Sequence, residues 1–341
     1  MLHLFKLQLV IPDCSVVFLP SLKEALFQAY RRLEAGAADF VQDCASLRSS
    51  SSSSVPMRVL ARNQAATILH GWVVEDRVVP VVCAALCRVE SAELAAAPLA
   101  RTLNGMGRAL DSTGTTKEEM ASFHEQIVRR TENGKAMLKL LQATDLASRT
   151  ESLALLRRVY PQTSKVLGRH LLSDPQSIAA LMQILQEAGG SSWADAPEEA
   201  ALCAECVHFL RLVTAEDGDV RMIIIFQDGA EALLAIATQA LSAASGSSGS
   251  DAASAFLGLA GDACVCVQQL VGQGPVAQKY MREAGHLATV TRTLRCVFAA
   301  LALQAPGSCS AWTTGLQAAA TVLLDLTGKE GKEMERGSGV T

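Results

Sequence analysis

Repetition of a helical unit is the sequence feature that most restricts how this chain can fold. Four segments begin with a polar turn containing Gly, Asp or Pro and continue as a Leu-rich amphipathic helix, and each follows another helical stretch. The segments begin at Glu132, Ser173, Gln227 and Glu283. A single helical pair cannot bury its apolar face alone, so the repeated pairs are expected to stack around one shared core.

The spacing of the repeated unit indicates the class of repeat. Corresponding positions in the four segments are Met137, Ile178, Ala230 and His286, which lie 41, 52 and 56 residues apart. The two longer steps contain polar insertions, GGSSWADAPE and SAASGSSGSD, which we expect to lie in turns. Without about ten residues in each, the step approaches the ~40–47 residues of armadillo and HEAT repeats. The sequence therefore predicts an all-α, armadillo/HEAT-like right-handed helical solenoid.

The composition agrees with a folded helical chain. Hydrophobic residues make up 50% of the 341 residues and charged residues 19%, which is too apolar for a disordered protein. The formal net charge of −4 provides no general attraction for nucleic acid, so no nucleic-acid partner is predicted. The ten cysteines are scattered along the chain, which is typical of reduced thiols in a cytosolic protein.

Three regions are predicted along the chain. Residues 1–55 contain divergent N-terminal helices and a Ser-rich loop, and residues 56–328 form the armadillo-like repeat solenoid. Residues 329–341 form a disordered charged tail. Within the solenoid, the segment DSTGTTKEEM from Asp111 is predicted to be a polar loop.

Neither long apolar stretch of the sequence predicts a membrane span. The first stretch is interrupted by Lys6 and Asp13, so we expect a buried first helix or a wrongly assigned start rather than a signal peptide. The charge-free stretch from Cys296 to Leu324 contains a Pro-Gly-Ser break at 306–308 and is expected to form two buried helices joined by a turn. Membrane contact is therefore predicted to be peripheral only.

One block of the sequence resembles a known family. Residues 220–237 read VRMIIIFQDGAEALLAIA, and this segment resembles I-Q-K-I-V-A-F-E-N-A-F-E-R-L-L-D-I-I in the head domain of Uso-type vesicle-tethering golgins, the general vesicular transport factor family. The residues that match in register are Val220, Ile223, Phe226, Glu231, Leu233, Leu234 and Ile236. Blocks at 131–141, 173–185 and 261–287 are similar to further family segments in the same order, and Tyr280, Arg282 and Glu283 carry part of the last likeness.

The chain also departs from the family pattern. Asp228-Gly229 replaces an Asn-Ala pair, and Ala277 stands where the family has Asn. The family's head is much longer and continues into a coiled coil and an acidic tail, whereas this sequence has no sustained heptads. We expect a truncated or divergent member or an incomplete gene model, and dimerisation through a coiled coil is not carried over.

The resemblance implies a non-enzymatic tether or scaffold in ER-to-Golgi and intra-Golgi membrane traffic. Its partners would be Rab-type small GTPases, SNAREs, and coat or golgin proteins that dock on the armadillo-like surface. It also implies a cytoplasmic protein that associates peripherally with the Golgi membrane. A generic armadillo-repeat adaptor of another pathway stays an alternative, because Leu-rich helical hairpins arise readily in unrelated proteins.

Glu132, Arg282 and Glu283 lie at repeat turns and are predicted to contact a partner, with helix capping and dipole pairing as the alternative. The sequence suggests no catalytic or cofactor site, since it contains no phosphate loop, G-x-S-x-G or H-E-x-x-H motif.

The sharpest metal-like pattern is Cys203-Ala-Glu-Cys206 followed by His208. Zinc needs four tetrahedral ligands, and on a helix His208 would point away from the two cysteines. Buried apolar thiols are therefore the preferred interpretation, and no metal site is predicted.

Overall fold

The computed structural model of the protein describes residues 78–87, 93–113, 115–189, 193, 196–246, 250–272, 275–303, 315 and 317–322. All regular elements within these residues are helical, and no strand occurs among them. The all-α prediction is confirmed. The predicted N-terminal helices, Ser-rich loop and charged tail, with the region boundaries at 55 and 328, lie outside the described residues.

The helices follow one another with short connections. In chain order they are α1 (Val78–Cys87), α2 (Glu93–Thr113), α3 (Lys117–Arg130), α4 (Lys135–Lys139), α5 (Leu146–Ser173), α6 (Pro175–Gly189), α7 (Pro197–Glu216), α8 (Gly218–Phe226), α9 (Gly229–Gly246), α10 (Ser250–Val271), α11 (Pro275–Glu283) and α12 (His286–Leu303). A short 3-10 helix, Leu140–Gln142, follows α4, and residues 317–322 are also helical.

The chain divides into two compact units, Met1–Leu167 and Gly168–Thr341, and the boundary falls inside α5. In the first unit, α1 packs against α2, α3 and α4. Fully buried side chains of this unit include Leu103, Phe123, Ile127, Met137 and Leu156. Side chains also join α2 to α5, because Arg101 Nε donates to Glu151 Oε1 at 2.7 Å and Asn104 Nδ2 donates to the Glu151 carbonyl oxygen at 2.9 Å.

The second unit repeats a long helix, a short helix and a second long helix. Helices α7, α8 and α9 form one such set, and α10, α11 and α12 form the next. The first helices of the two sets, α7 and α10, pack on each other, while α9 packs against α6 on one side and α12 on the other. The stacking that the repetition predicts is therefore present in this unit.

Polar side chains connect equivalent positions of successive repeats in the second unit. The hydroxyl oxygens of Thr238 and Thr293 lie 3.2 Å apart, and these residues are separated by 55 positions. Thr214 Oγ1 lies 2.7 Å from Gln269 Oε1, again across 55 positions. Both separations agree with the step of 56 residues between Ala230 and His286 that was read from the sequence.

Two segments predicted as polar loops are largely helical. In DSTGTTKEEM, α2 continues through Thr113 and α3 begins at Lys117. Thr116 closes the gap with a capping box, since its hydroxyl accepts from Glu119 N at 3.2 Å while Thr116 N donates to Glu119 Oε2 at 2.9 Å. The loop prediction was wrong because the polar residues include the Thr-x-x-Glu pattern, which begins a helix.

The SAASGSSGSD insertion is helical over most of its length. Helix α9 runs to Gly246 and α10 begins at Ser250, so seven of its ten residues are helical. The hydroxyls of Ser242 and Ser245 donate to the carbonyl oxygens four residues earlier, which lets serine occupy an exposed helix. The described part of the insertion therefore lengthens two helices.

The first repeated segment is shorter than predicted, because the Leu-rich stretch after Glu132 forms only α4 and the following 3-10 helix.

In GGSSWADAPE, the indole of Trp193 is 3% exposed, donates from Nε1 to the Ala188 carbonyl oxygen at 3.0 Å and stacks on Phe256. This polar insertion is thus attached to the core at its single aromatic residue.

One helical segment in the described part of the chain, Ala252–Val271, is long and apolar enough to cross a membrane. It belongs to α10, which packs against α7 and α9 in the second unit. In the charge-free stretch from Cys296 to Leu324, α12 extends to Leu303 and residues 317–322 are helical.

Candidate functional site

The short helices of the second unit carry an exposed apolar surface. Phe226 at the end of α8 is 59% exposed, and Val276 at the start of α11 is 58% exposed. Tyr280 lies one turn after Val276 on the same side of α11, and its ring contacts Phe226 with a centroid separation of 5.8 Å. We call Phe226, Val276 and Tyr280, with the neighbouring carboxylates Asp228 and Glu231, the α8/α11 patch.

A tight turn between α8 and α9 places Phe226 and Asp228 in this patch. Asp228 has a left-handed backbone with φ of 57°, which aspartate tolerates better than most residues. A Cβ atom at Gly229 would lie 2.4 Å from Ile224 Cγ2 and 2.8 Å from the Ile224 carbonyl oxygen, so glycine is needed for the close approach. The Asp-Gly pair that departs from the golgin pattern is therefore the pair that forms this turn.

Tyr280 connects the two short helices. Its hydroxyl donates to Asp228 Oδ1 at 2.6 Å, across 52 residues of sequence. The hydrogen bond to Asp228, together with burial and the charges of Asp228 and Glu231, raises the pKa of Tyr280 above its usual value of 10. The tyrosine thus stays neutral and keeps its donor proton at physiological pH.

The rings of the patch are held in a fixed arrangement. The planes of Phe226 and Tyr280 are inclined at 79°, an edge-to-face contact of the kind that aromatic side chains favour. On the other side, the Tyr280 ring lies 6.3 Å from the ring of His286, which is buried at the start of α12.

Two of the predicted partner-binding residues, Arg282 and Glu283, lie on α11 together with Val276 and Tyr280. Arg282 is half-buried in the last turn, where a positive charge complements the helix dipole. Glu283 Oε1 lies 3.7 Å from Lys279 Nζ, an exposed i,i+4 ion pair. Their contact with a partner stays a prediction.

The third predicted residue, Glu132, belongs to the first unit and lies in the exposed turn between α3 and α4. Glu132, Asn133 and Gly134 all have left-handed backbones, with φ of 54°, 58° and 94°. A Cβ atom at Gly134 would lie 2.3 Å from Leu167 Cδ2. Glu132 and the α11 residues belong to different units, and the contact of Glu132 with a partner stays a prediction.

The cysteines of the metal-like pattern are core residues. Cys203 and Cys206 are fully buried, burial raises the pKa of the Cys203 thiol to about 12, and Cys206 Sγ donates to the Leu181 carbonyl oxygen at 3.6 Å. Burial raises the pKa of Cys264 to about 12 as well. Within the described ranges, no group of three His, Cys, Asp or Glu side chains is arranged to hold a metal ion.

His208, the third residue of that pattern, instead takes part in a charged cluster between repeats. His208 Nε2 lies 3.0 Å from Asp262 Oδ2, and Arg211 of the same helix donates to Asp262 Oδ1. Burial alone would raise the pKa of Asp262, but the hydrogen bond from His208 and the charge of Arg211 lower it below its usual value. Sequence reasoning missed this cluster, because Asp262 lies 51 and 54 residues after its two partners.

The first unit contains a buried histidine that the sequence did not single out. His124 on α3 is 5% exposed, and neither ring nitrogen has a hydrogen-bond partner among the described residues. Burial, with the nearby charge of Arg158, lowers its pKa from 6.5 to about 4, against a smaller opposing effect of Asp111. An unpaired buried imidazole disfavours its charged form, so His124 is a source of instability in acid.

Comparison with known proteins adds little to this geometry. No protein-family model matches the sequence, and no curated protein matches it. The crystal structure of an engineered protein from the Northeast Structural Genomics Consortium aligns with a TM-score of 0.46 and 15% sequence identity, covering 82% of this chain and 93% of the engineered one. A likeness at that level supports no conclusion about function, so the golgin resemblance stays a prediction from sequence.

Proposed function

We propose that this chain is a non-enzymatic protein-binding scaffold and that the α8/α11 patch is a docking surface of its second unit. The observation that carries the proposal is the exposure of Phe226 and Val276, at 59% and 58%. Exposed aromatic side chains beside polar residues are a frequent feature of protein interfaces, where they supply much of the binding energy.

The more specific role that we propose is vesicle tethering in ER-to-Golgi and intra-Golgi traffic. The support is the sequence resemblance, because Phe226, Glu231 and Tyr280 of the patch are among the residues that carry it. Rab-type small GTPases, SNAREs and coat or golgin proteins are the proposed partners. In this proposal the protein is cytoplasmic and reaches the Golgi membrane peripherally, through these partners.

The first test combines a patch variant with a matched control. The patch variant carries Phe226→Ser and Val276→Ser, which remove the two exposed apolar side chains. The control variant carries Val166→Ser, which removes another exposed valine (37%) in the first unit. We expect the double variant to lose capture of nucleotide-loaded Rab-type GTPases and Golgi staining, while Val166→Ser keeps both. Both proteins should remain folded, since the altered side chains are on the surface, and the double variant should lose only the small contribution of the Phe226–Tyr280 ring contact.

Two results would count against the proposal in different ways. An even cytosolic distribution of the wild-type protein, with no GTPase capture, would refute the tethering role and favour the generic adaptor. Retention of GTPase capture by the double variant would refute the assignment of the α8/α11 patch as the docking surface.

A further inference from the structure

The α8/α11 patch combines exposed aromatic rings with negative charge. Asp228 accepts the hydrogen bond of the Tyr280 hydroxyl at 2.6 Å, and the charge of Glu231 also acts on that hydroxyl. Within the described residues, neither carboxylate forms an ion pair. The neighbouring cation Lys279 pairs with Glu283 at 3.7 Å. Arg282 also lies on α11, so three carboxylates (Asp228, Glu231 and Glu283) stand against two cations (Lys279 and Arg282). The patch and its flanking residues therefore keep one net negative charge beside the apolar surface.

Aromatic rings next to carboxylates have a definite complementary ligand. The face of an aromatic ring carries negative partial charge and attracts a cation, and arginine is the side chain most often found there. Its planar guanidinium stacks on a ring and can donate to a carboxylate at the same time, whereas the lysine ammonium is more strongly hydrated. The large exposed fraction of Phe226 leaves ring surface available for such stacking.

We propose that the α8/α11 patch binds an arginine side chain presented by a partner protein. The guanidinium stacks on the exposed Phe226 ring and pairs with the carboxylates of Asp228 and Glu231, while an apolar neighbour of the arginine contacts Val276. This inference rests on the proposed protein-binding function, but it does not depend on the vesicle-traffic pathway.

The structure holds the patch in place before a ligand arrives. The Tyr280–Asp228 hydrogen bond joins α11 to the α8–α9 turn, and the close packing at Gly229 fixes that turn. Binding therefore requires little ordering of the protein side chains, which would otherwise reduce the affinity.

The test uses the full chain and short peptides that differ in one side chain. The probes are acetyl-Gly-Leu-Arg-Gly-amide and the same peptide with citrulline, which keeps the shape of arginine but has no charge. Binding is followed by the NMR signals of ¹³C-labelled phenylalanine and tyrosine rings, with the Phe226 and Tyr280 signals assigned from Phe226→Leu and Tyr280→Phe variants. We expect the arginine peptide to shift the Phe226 signal saturably, and more weakly as salt is added.

Variants identify the groups responsible. Phe226→Ala removes the ring and should weaken binding of the arginine peptide by about two- to fivefold, which is the size of an exposed cation–π contact. Binding to this variant is read from the Tyr280 ring signals. Glu231→Gln should weaken it by a similar factor. Asp219→Asn, which removes an exposed carboxylate at the other end of α8, is the matched charge control and should have no effect.

Equal shifts with the citrulline peptide, no shift with either peptide, or equal weakening by Asp219→Asn and Glu231→Gln would overturn the arginine assignment. Failure here is distinct from failure of the proposed function. A protein that captures GTPases through Phe226 and Val276 but ignores the arginine peptide keeps its docking surface and loses only this assignment.

Discussion

Mild acid should destabilise the first unit through His124. The side chain is 5% exposed, and its nitrogens lack partners among the described residues, so the neutral form is favoured in the folded protein. Its pKa falls from 6.5 to about 4 on folding. Between these values the unfolded chain binds a proton that the folded chain does not, so stability decreases as the pH is lowered.

The size of the effect follows from the two pKa values. They differ by about 2.5, and each pH unit corresponds to about 1.4 kcal/mol, which gives a loss of about 3 kcal/mol between pH 7 and pH 4. The loss begins near pH 6.5, and His124 contributes no further loss below about pH 4. A domain of ordinary stability has only about 5–15 kcal/mol, so the change is large enough to measure.

Urea unfolding at pH 7, 6, 5 and 4 is the assay, and hydrogen exchange of α3 amides assigns the change to the first unit. We expect His124→Leu to be less sensitive to acid than the wild type by about 3 kcal/mol over this range. Ile127→Val, at another fully buried position of α3, is the control, and it should lower stability equally at every pH. Parallel pH curves for wild type and His124→Leu would refute the reasoning.

Three further substitutions test other contacts. Gly229→Ala should destabilise the second unit by about 1–3 kcal/mol in thermal or urea unfolding, because its Cβ would overlap Ile224, while Gly246→Ala, with nothing within 4 Å, should not. Thr116→Ala should cost about 1 kcal/mol by removing the capping box, measured by urea unfolding, and an unchanged midpoint would contradict the cap. Asp262→Asn should cost up to about 1 kcal/mol at pH 7, since its partners are partly hydrated. The lowered pKa means that this contribution is present above the usual aspartate pKa and disappears as acid protonates the folded carboxylate, so variant and wild type should converge at low pH.

The periodic features of the sequence predicted the helices well. Leu233, Leu234 and Ile236 recur at helical spacing and are buried in α9. Apolar residues at that spacing form a stripe on one side of a helix, and the helix buries this stripe in the core. In the SAASGSSGSD segment the serines and glycines suggest a turn, yet seven of its ten residues are helical. In the structure the serine hydroxyls bond to carbonyl oxygens of their own helix, and composition alone does not reveal this.

The candidate site was less accessible to sequence reasoning. Phe226 follows three isoleucines and looks like a core residue, yet it is exposed because α8 ends there and the chain turns sharply at Gly229. The partnership of Tyr280 with Asp228 spans 52 residues, and no local pattern indicates a contact at that distance. The predicted residues Arg282 and Glu283 nevertheless lie on the helix that carries Tyr280.

The bonds between equivalent positions of neighbouring repeats have a consequence for how the second unit comes apart. When each set of helices is supported mainly by the sets beside it, loss of structure should begin at an end of the array and advance inward. Helix α11 belongs to the α10–α12 set, so proteolysis near α11 reports whether that set has separated from its neighbours. A partner seated on Phe226 and Tyr280 would join this set to the one before it, and slower proteolysis near α11 would then report occupancy.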